Sequence, residues 1–165
     1  MIVAGLVVFL LAVSVLTHYQ GLVVISTVVE NIKISPHARM VVVVLGIIIV
    51  HMVEIAIYAL GYMVADLIDG TGEFVGLHDS LVSGGAVSTI PHGGLSLSFY
   101  DYFYFSAETF SSLGLGDIYP VGDIRLMASF EVLTGLILIG WSASFTYIAM
   151  RKFWELHVKR PAFFD

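Results

Sequence analysis

"SAETFSSLGLGDIYP", residues 106–120, is the stretch on which the reading of this chain turns. At its centre "SSLGLGD" (111–117) sets two glycines around one leucine, with hydroxyls before them and a carboxylate after. Glycine reaches positive φ without a steric penalty, so this is unusually free backbone. Two readings are open for it. One is an ordinary turn between spans; the other is a backbone that must present its carbonyls. The sequence on either side is needed to choose.

Immediately before it, "SFYDYFYFSAETF" (98–110) is aromatic and too short to cross a bilayer. Ser98 followed three residues later by Asp101 resembles a capping box, with Asp in place of the usual Glu, and a helix over 99–111 is expected. Further out, the chain is very apolar. It has 165 residues, 58% of them hydrophobic, with a mean hydropathy of +0.96. That excludes an ordinary soluble domain of this size. A bilayer core of about 30 Å needs roughly 20 apolar residues per helix. Stretches 1–29, 39–65 and 124–150 meet this. Segment 1–29 carries no charge near its start, unlike a secretory signal, and reads as a retained span. As one helix it would be about 43 Å long. It must therefore tilt, bend or protrude, and Thr17, His18, Tyr19, Gln20 and Gly21 mark the expected bend.

A short helix lodged between two spans is a re-entrant element. Non-helical backbone at membrane depth survives only when it lines water or is packed inside protein. "SSLGLG" is therefore expected to do one of these. Residues 30–38, "ENIKISPHA", make a short hairpin connection, with Pro36 near the start of the next helix. The Gly- and Ser-rich stretch 69–94 reads as a loop. No internal repeat is evident.

Six of the seven basic residues lie at 30–39 or after residue 150: Lys33, Arg39, Arg151, Lys152, Lys159 and Arg160. The stretch 66–123 holds no Lys or Arg, but it holds Asp66, Asp69, Glu73, Asp79, Asp101, Glu108, Asp117 and Asp123. The positive-inside rule places 30–39 and the C-terminus in the cytoplasm, and 66–123 and the N-terminus outside. The acidic run is a solvated surface that also concentrates cations. Cysteine is absent, so there is neither a disulfide nor a thiolate metal site. A net charge of -6 is no nucleic-acid footprint. Phosphate-loop and metal-hydrolase motifs are lacking, and Ser106, His92 and Asp101 have no nucleophile elbow around them, so an enzyme is not expected. There is no Arg ladder of a voltage sensor.

With these residues assembled, 106–120 closely resembles the pore loop of tetrameric potassium channels, whose usual form is T-x-x-T-x-G-Y-G-D-x-x-P. The similarity is greatest to small bacterial channels with two spans around the pore loop, and extends through "RLMASFEVLTGLILIGW" (125–141). In all it covers about 39–151, with residues 1–38 outside it. It implies an outer helix at 39–67, an extracellular loop at 68–98, a pore helix at 99–111, a filter at 112–116 and an inner helix at 124–150. An extra N-terminal helix and linker (1–38) and a cytoplasmic tail (152–165) flank them. The implied fold is an all-α membrane protein of three transmembrane helices plus a re-entrant pore helix, assembled as a homotetramer. It would lie in the plasma or inner membrane, with lipids and K+ as its partners.

The physics of such a filter fits these residues. A hydrated cation enters only if oxygens replace its water, and rings of backbone carbonyls do this. Carbonyls of Ser112, Leu113, Gly114, Leu115 and Gly116 would coordinate the permeant K+, with alternating backbone handedness supplied by Gly114 and Gly116. Leu115 departs from the family's usual Tyr or Phe, and Leu113 from its Val or Ile, so the cuff around the filter is more apolar. A weakly selective or non-selective cation channel is the alternative reading, and a non-conducting scaffold or accessory subunit a second. Tyr104, Glu108 and Asp117 are expected to support the filter. Glu108 would form a carboxyl–carboxylate pair with Asp117 that shares a proton, and Tyr104 would donate to Asp117. Gly135 falls where such channels often carry a hinge glycine; it and Gly140 suit a bend or close helix packing. Matched positions suggest Leu136, Ile139, Ala143, Ser144 and Tyr147 line the conduction path, with Tyr147 either narrowing the lower mouth or sitting at the membrane interface as aromatics do. The tail "RKFWELHVKR" is amphipathic and suits the inner leaflet.

Four ionisable residues fall inside the spans, where such groups are costly and often functional: His18, His51, Glu54 and Glu131. An antiparallel hairpin centred near residue 34.5 puts His18 and His51 at one height, and Glu54 shares a helix face with His51. Three readings stand for them: mutual hydrogen bonding that fixes packing, a protonation switch coupling the N-terminal helix to the filter, or a metal site of His18, His51 and Glu54.

Overall fold

The computed structural model describes residues 2–76 and 97–155. Within these residues four helices and two short strands follow in the order α1 (Ile2–Asn31), α2 (Pro36–Asp66), β1 (Gly72–Gly76), α3 (Phe99–Phe110), β2 (Ile118–Gly122) and α4 (Ile124–Glu155). Helices α1, α2 and α4 are long and apolar enough to cross a membrane. The sequence expectations for 77–96, most of the 68–98 loop, and for the tail beyond 155 lie outside the described residues.

Helices α1 and α2 form an antiparallel hairpin. It starts cleanly because Ser35 caps α2 through the Ala38 N–H and Pro36 needs no hydrogen bond there. The buried side chains of α1 are Val3, Val7, Leu10, Ser14, His18, Leu22, Ile25 and Val29. Their spacing of three or four is that of a single stripe facing a partner. Glycines let the backbones close up: a Cβ on Gly21 would meet Val50, one on Gly46 would meet Ile25, and one on Gly61 would meet Leu10. These contacts centre the hairpin one residue beyond the expected 34.5. Helical structure runs unbroken through Thr17–Gly21. His18 and Gly21 face α2 there, so the polar interruption serves packing.

The sequence reading has 72–76 in a loop and assigns no element to 118–122; the structure makes both strands. β1 and β2 pair antiparallel, from Gly72 opposite Gly122 to Gly76 opposite Ile118. Close approach forces the glycine at one end: Gly72 has φ +124°, and a Cβ there would lie 2.0 Å from the Val121 carbonyl oxygen. Phe74 drives the ribbon into the core, edge-on to Tyr62, Tyr102 and Phe105 at centroid distances of 5.5, 5.5 and 5.0 Å. The Thr71 hydroxyl lies within 2.6 Å of the Ala65 carbonyl and 2.8 Å of that of Ile68, and the Ile124 N–H donates to Thr71 O. The end of α2, the ribbon and the start of α4 are thereby one unit, and α3 is held against it.

Candidate functional site

Helix α3 is fixed at its start by Asp101, whose Oδ2 accepts the Ser98 N–H and hydroxyl, each at 2.7 Å. Its buried side is Tyr102, Phe105, Ser106, Glu108, Thr109 and Phe110. Tyr102 donates to Asp66 of α2 at 2.7 Å; burial and then the Asp66 carboxylate push that phenol up. After Phe110 the backbone changes character. Ser112, Gly114 and Gly116 have φ of 59°, 56° and 77°. Leu113 and Leu115 do not have positive φ, so the handedness alternates residue by residue from 112 to 116. Among the described residues Ser112 is the one non-glycine with positive φ, a feature no composition rule foretold. Its αL conformation costs about 1–2 kcal/mol.

The Ser112 N–H donates to the Thr109 carbonyl at 3.0 Å, and the next three amides are held by one residue. The carbonyl of Glu108 accepts the N–H groups of Leu113 at 2.8 Å and Gly114 at 3.3 Å. The carboxylate of Glu108 accepts the Leu115 N–H at 3.0 Å. Asp117 is held separately, by the Tyr104 hydroxyl at 3.0 Å and the Ile118 N–H at 3.1 Å. The expected carboxyl–carboxylate pair is therefore corrected: no hydrogen bond joins Glu108 to Asp117. The reason is donor supply. Leu115 offers an amide proton to a carboxylate directly, whereas a second carboxylate offers one only after binding a proton itself. The two charges still sense each other. Burial pushes the Glu108 carboxyl up, the Leu115 amide opposes this, and the Asp117 charge adds to the rise. Burial and the Asp117 carboxylate likewise raise the Tyr104 phenol.

The side chains of Leu113 and Leu115 are about 60% exposed, at 63% and 60%, and a Cβ on Gly114 or Gly116 would meet nothing. Leu136, Ile139, Ala143, Ser144 and Tyr147 on α4 are also exposed on the single chain. Gly135 is not: a Cβ there would lie 2.2 Å from the Phe110 carbonyl oxygen. It is the contact point between α4 and the end of α3, which answers the bend-or-packing question for it in favour of packing. Gly140 has open space around it.

The intramembrane groups separate into two clusters. His18 Nδ1 and His51 Nδ1 each lie 2.8 Å from a different oxygen of Glu54. Both Nε2 atoms turn to one residue that the sequence reading passed over, Ser142 of α4, at 3.4 and 3.2 Å. Trp141 packs on the His18 ring and Phe110 on the His51 ring, with centroids 5.3 and 5.6 Å apart. His18, His51 and Glu54 present ligand-capable atoms within 4.8 Å of one another. Glu131 stands apart. Its carboxylate accepts from the Tyr62 hydroxyl and, at 2.5 Å, from Ser106, whose oxygen is also 2.9 Å from the Ile55 carbonyl. Beside it Tyr58 reaches Thr134 at 3.3 Å. Only the tertiary fold could reveal Ser142 and Tyr62, since a serine or tyrosine in an apolar helix carries no pattern of its own.

Residues 77–152 match the ion channel family, a stretch that contains α3, the 112–116 segment and nearly all of α4. The match starts later than the resemblance drawn from residue 39, so α1 and α2 lie outside it. Neither the curated proteins nor the solved structures contain a significant match to the chain. Over residues 77–152, then, this chain is similar to the ion channel family, and its three long apolar helices fit a membrane protein.

Proposed function

We propose that the chain forms a homotetrameric potassium channel in which residues 112–116 of four copies surround one axis and coordinate K+ through backbone carbonyls. The observation that carries this is the alternation of φ at Ser112, Gly114 and Gly116. Uniform handedness would turn successive carbonyls to different sides; alternation lets consecutive carbonyls share a side, which is what replacing a hydration shell requires. The exposed leucines and the exposed face of α4 are the surfaces that neighbouring copies would cover. Glu108 holds the segment by its carbonyl and its carboxylate together, so the ring radius is set from α3. The C-terminal, negative end of α3 would face the cavity beneath the filter and favour a cation there. Asp117 and the other acidic residues between 66 and 123 would gather cations at the outer mouth, with the basic ends at 30–39 and beyond 150 in the cytoplasm.

Leu115 favours a second reading. It has no ring hydroxyl to anchor the filter laterally, and its amide has the Glu108 carboxylate instead. A filter without that lateral side-chain bond suits a weakly selective cation pore. Flux assays on purified protein in liposomes separate the readings. K+ uptake well above Na+ uptake, abolished by Gly114→Ala, is the expected result. Equal uptake favours the weakly selective pore, and no uptake a non-conducting scaffold.

A further inference from the structure

We propose that His18, His51 and Glu54 bind one divalent transition-metal cation of the Zn2+ class, and that Ser142 orients both histidines for it. Each histidine turns Nδ1 to a different oxygen of Glu54, at 2.8 Å. One ligand-capable atom from each of the three residues lies within 4.8 Å of the others. Zinc takes imidazole nitrogen and carboxylate oxygen at about 2.0–2.2 Å, and a tetrahedral shell then sets its donors about 3.3 Å apart. Bringing the trio to that spacing is a contraction of about 1.5 Å at most.

The hydrogens of the cluster favour an ion there. Four contacts run round it: two from Nδ1 to Glu54, and two from Nε2 to Ser142 Oγ at 3.4 and 3.2 Å. Each needs one hydrogen between its atoms. A carboxylate, two neutral imidazoles and a hydroxyl hold three. One buried contact is then lone pair against lone pair, which is costly. A metal ion removes the shortfall without any added proton. Both Nδ1 lone pairs and the carboxylate go to the ion, so both rings carry their hydrogen on Nε2. Both Nε2–H groups then donate to the one Ser142 oxygen, whose two lone pairs accept them. Metal-bound histidines almost always donate their other N–H in this way, and the acceptor fixes tautomer and ring orientation. The serine's own hydrogen is left for the helix backbone, a common partner of serine inside a helix.

The surroundings suit a buried structural ion. The side chains of His18 and Glu54 are 0% exposed and that of His51 is 16% exposed. Trp141 packs on the His18 ring and Phe110 on the His51 ring, an apolar wall that limits water. No Lys or Arg occurs at 1–32, 40–124 or 126–150, so no fixed cation from these segments competes for the carboxylate. Glu131 is held by Tyr62 and Ser106 and is not a ligand. Two imidazoles and one carboxylate match Zn2+, Co2+, Ni2+ or Cu2+, whereas Mg2+ and Ca2+ take oxygens. Three protein ligands leave a fourth position for water or an anion. An anion there would cancel the single positive charge that one carboxylate leaves on the ion. The ligands come from α1 and α2 and their common acceptor from α4, so the ion would pin the N-terminal helix to the other two. The site is independent of the proposed conduction.

The test is metal binding near neutral pH to the full chain in detergent, first freed of metal by a chelator. The background variant carries His37→Gln, His78→Gln, His92→Gln and His157→Gln, which removes the other histidines. One Co2+ per chain should bind, with the visible absorption bands of tetrahedral coordination, and one Zn2+ should bleach them. Zn2+ should also raise the melting temperature. His18→Gln and His51→Gln should each abolish the bands. Ser142→Ala keeps all three ligands and should weaken Zn2+ binding about 10–100-fold; Ser142→Thr, which keeps the hydroxyl, should restore it. Absence of tetrahedral bands in the background variant would overturn the site, whether or not the ligand variants fold. Bands that persist in His18→Gln would overturn it too, as binding elsewhere. Equal Zn2+ affinity with Ser142 and with Ala at that position would overturn the role given to Ser142.

Discussion

Gly135→Ala probes the contact on which the α3–α4 arrangement rests. The new Cβ would lie 2.2 Å from the Phe110 carbonyl oxygen and 3.1 Å from that side chain. Real Cβ contacts essentially never fall under 3.0 Å, so the end of α3 must retreat by at least 0.8 Å (3.0 less 2.2). The obstacle is backbone, so no rotamer change relieves it. Overpacking of this kind costs about 1–3 kcal/mol. Gly140→Ala is the control. It lies five residues on in the same helix with nothing within 4 Å, and Ala is favoured over Gly in a helix by about 1 kcal/mol. Thermal unfolding of the purified protein, followed by tryptophan fluorescence, should show Gly135→Ala melting several degrees below the parent and Gly140→Ala at or above it. Because Phe110 leads directly into 112–116, liposome flux should fall with the first and persist with the second. If Gly135→Ala melts like the parent, the packing assigned to Gly135 is wrong.

Three further outcomes follow from the geometry. Glu108→Ala leaves the Leu115 amide without its acceptor, a loss of about 1.5–3 kcal/mol for a bond to a charged group, whereas Glu108→Gln keeps an acceptor; ion flux or assembly stability should fall in the first variant only. The raised Glu108 carboxyl binds its proton more tightly folded than unfolded, so its contribution to stability is greatest below the ordinary carboxylate value of 4.5 and is lost as pH rises through the raised value. Melting curves of Glu108→Gln should accordingly lose that part of the pH dependence. Ser14 is buried with no hydrogen-bond partner for its hydroxyl, so Ser14→Ala should raise the melting temperature, by roughly 1 kcal/mol of stability, where a shared-bond role would lower it.

Apolar length revealed the three long helices, because nothing but a bilayer calls for such runs. The Ser98–Asp101 cap and the glycine spacing at 114 and 116 were legible too, because each is a local demand of the backbone. What escaped the sequence is what depends on distant partners. Gly72–Gly76 and Ile118–Gly122 are too short and too far apart for alternation to announce a ribbon. Glu108 could be matched to Asp117 by proximity in the chain, but its actual partner is an amide, and every residue has one. Ser142 looked like any small residue of an apolar helix until the fold set it between two imidazoles. His18, His51 and Glu54 were visible as a group because ionisable residues in a span are rare. Glu131 was grouped with them by height, yet Tyr62 and Ser106 hold it in a separate cluster.

The central claim is that the carbonyls of residues 112–116 select K+ in a ring of four copies, and a bi-ionic reversal potential tests it most directly. With K+ on one side of a planar bilayer and Na+ on the other, the account predicts a current that reverses far toward the K+ equilibrium potential and disappears in Gly114→Ala. A reversal near zero, or a current that survives Gly114→Ala, would contradict it.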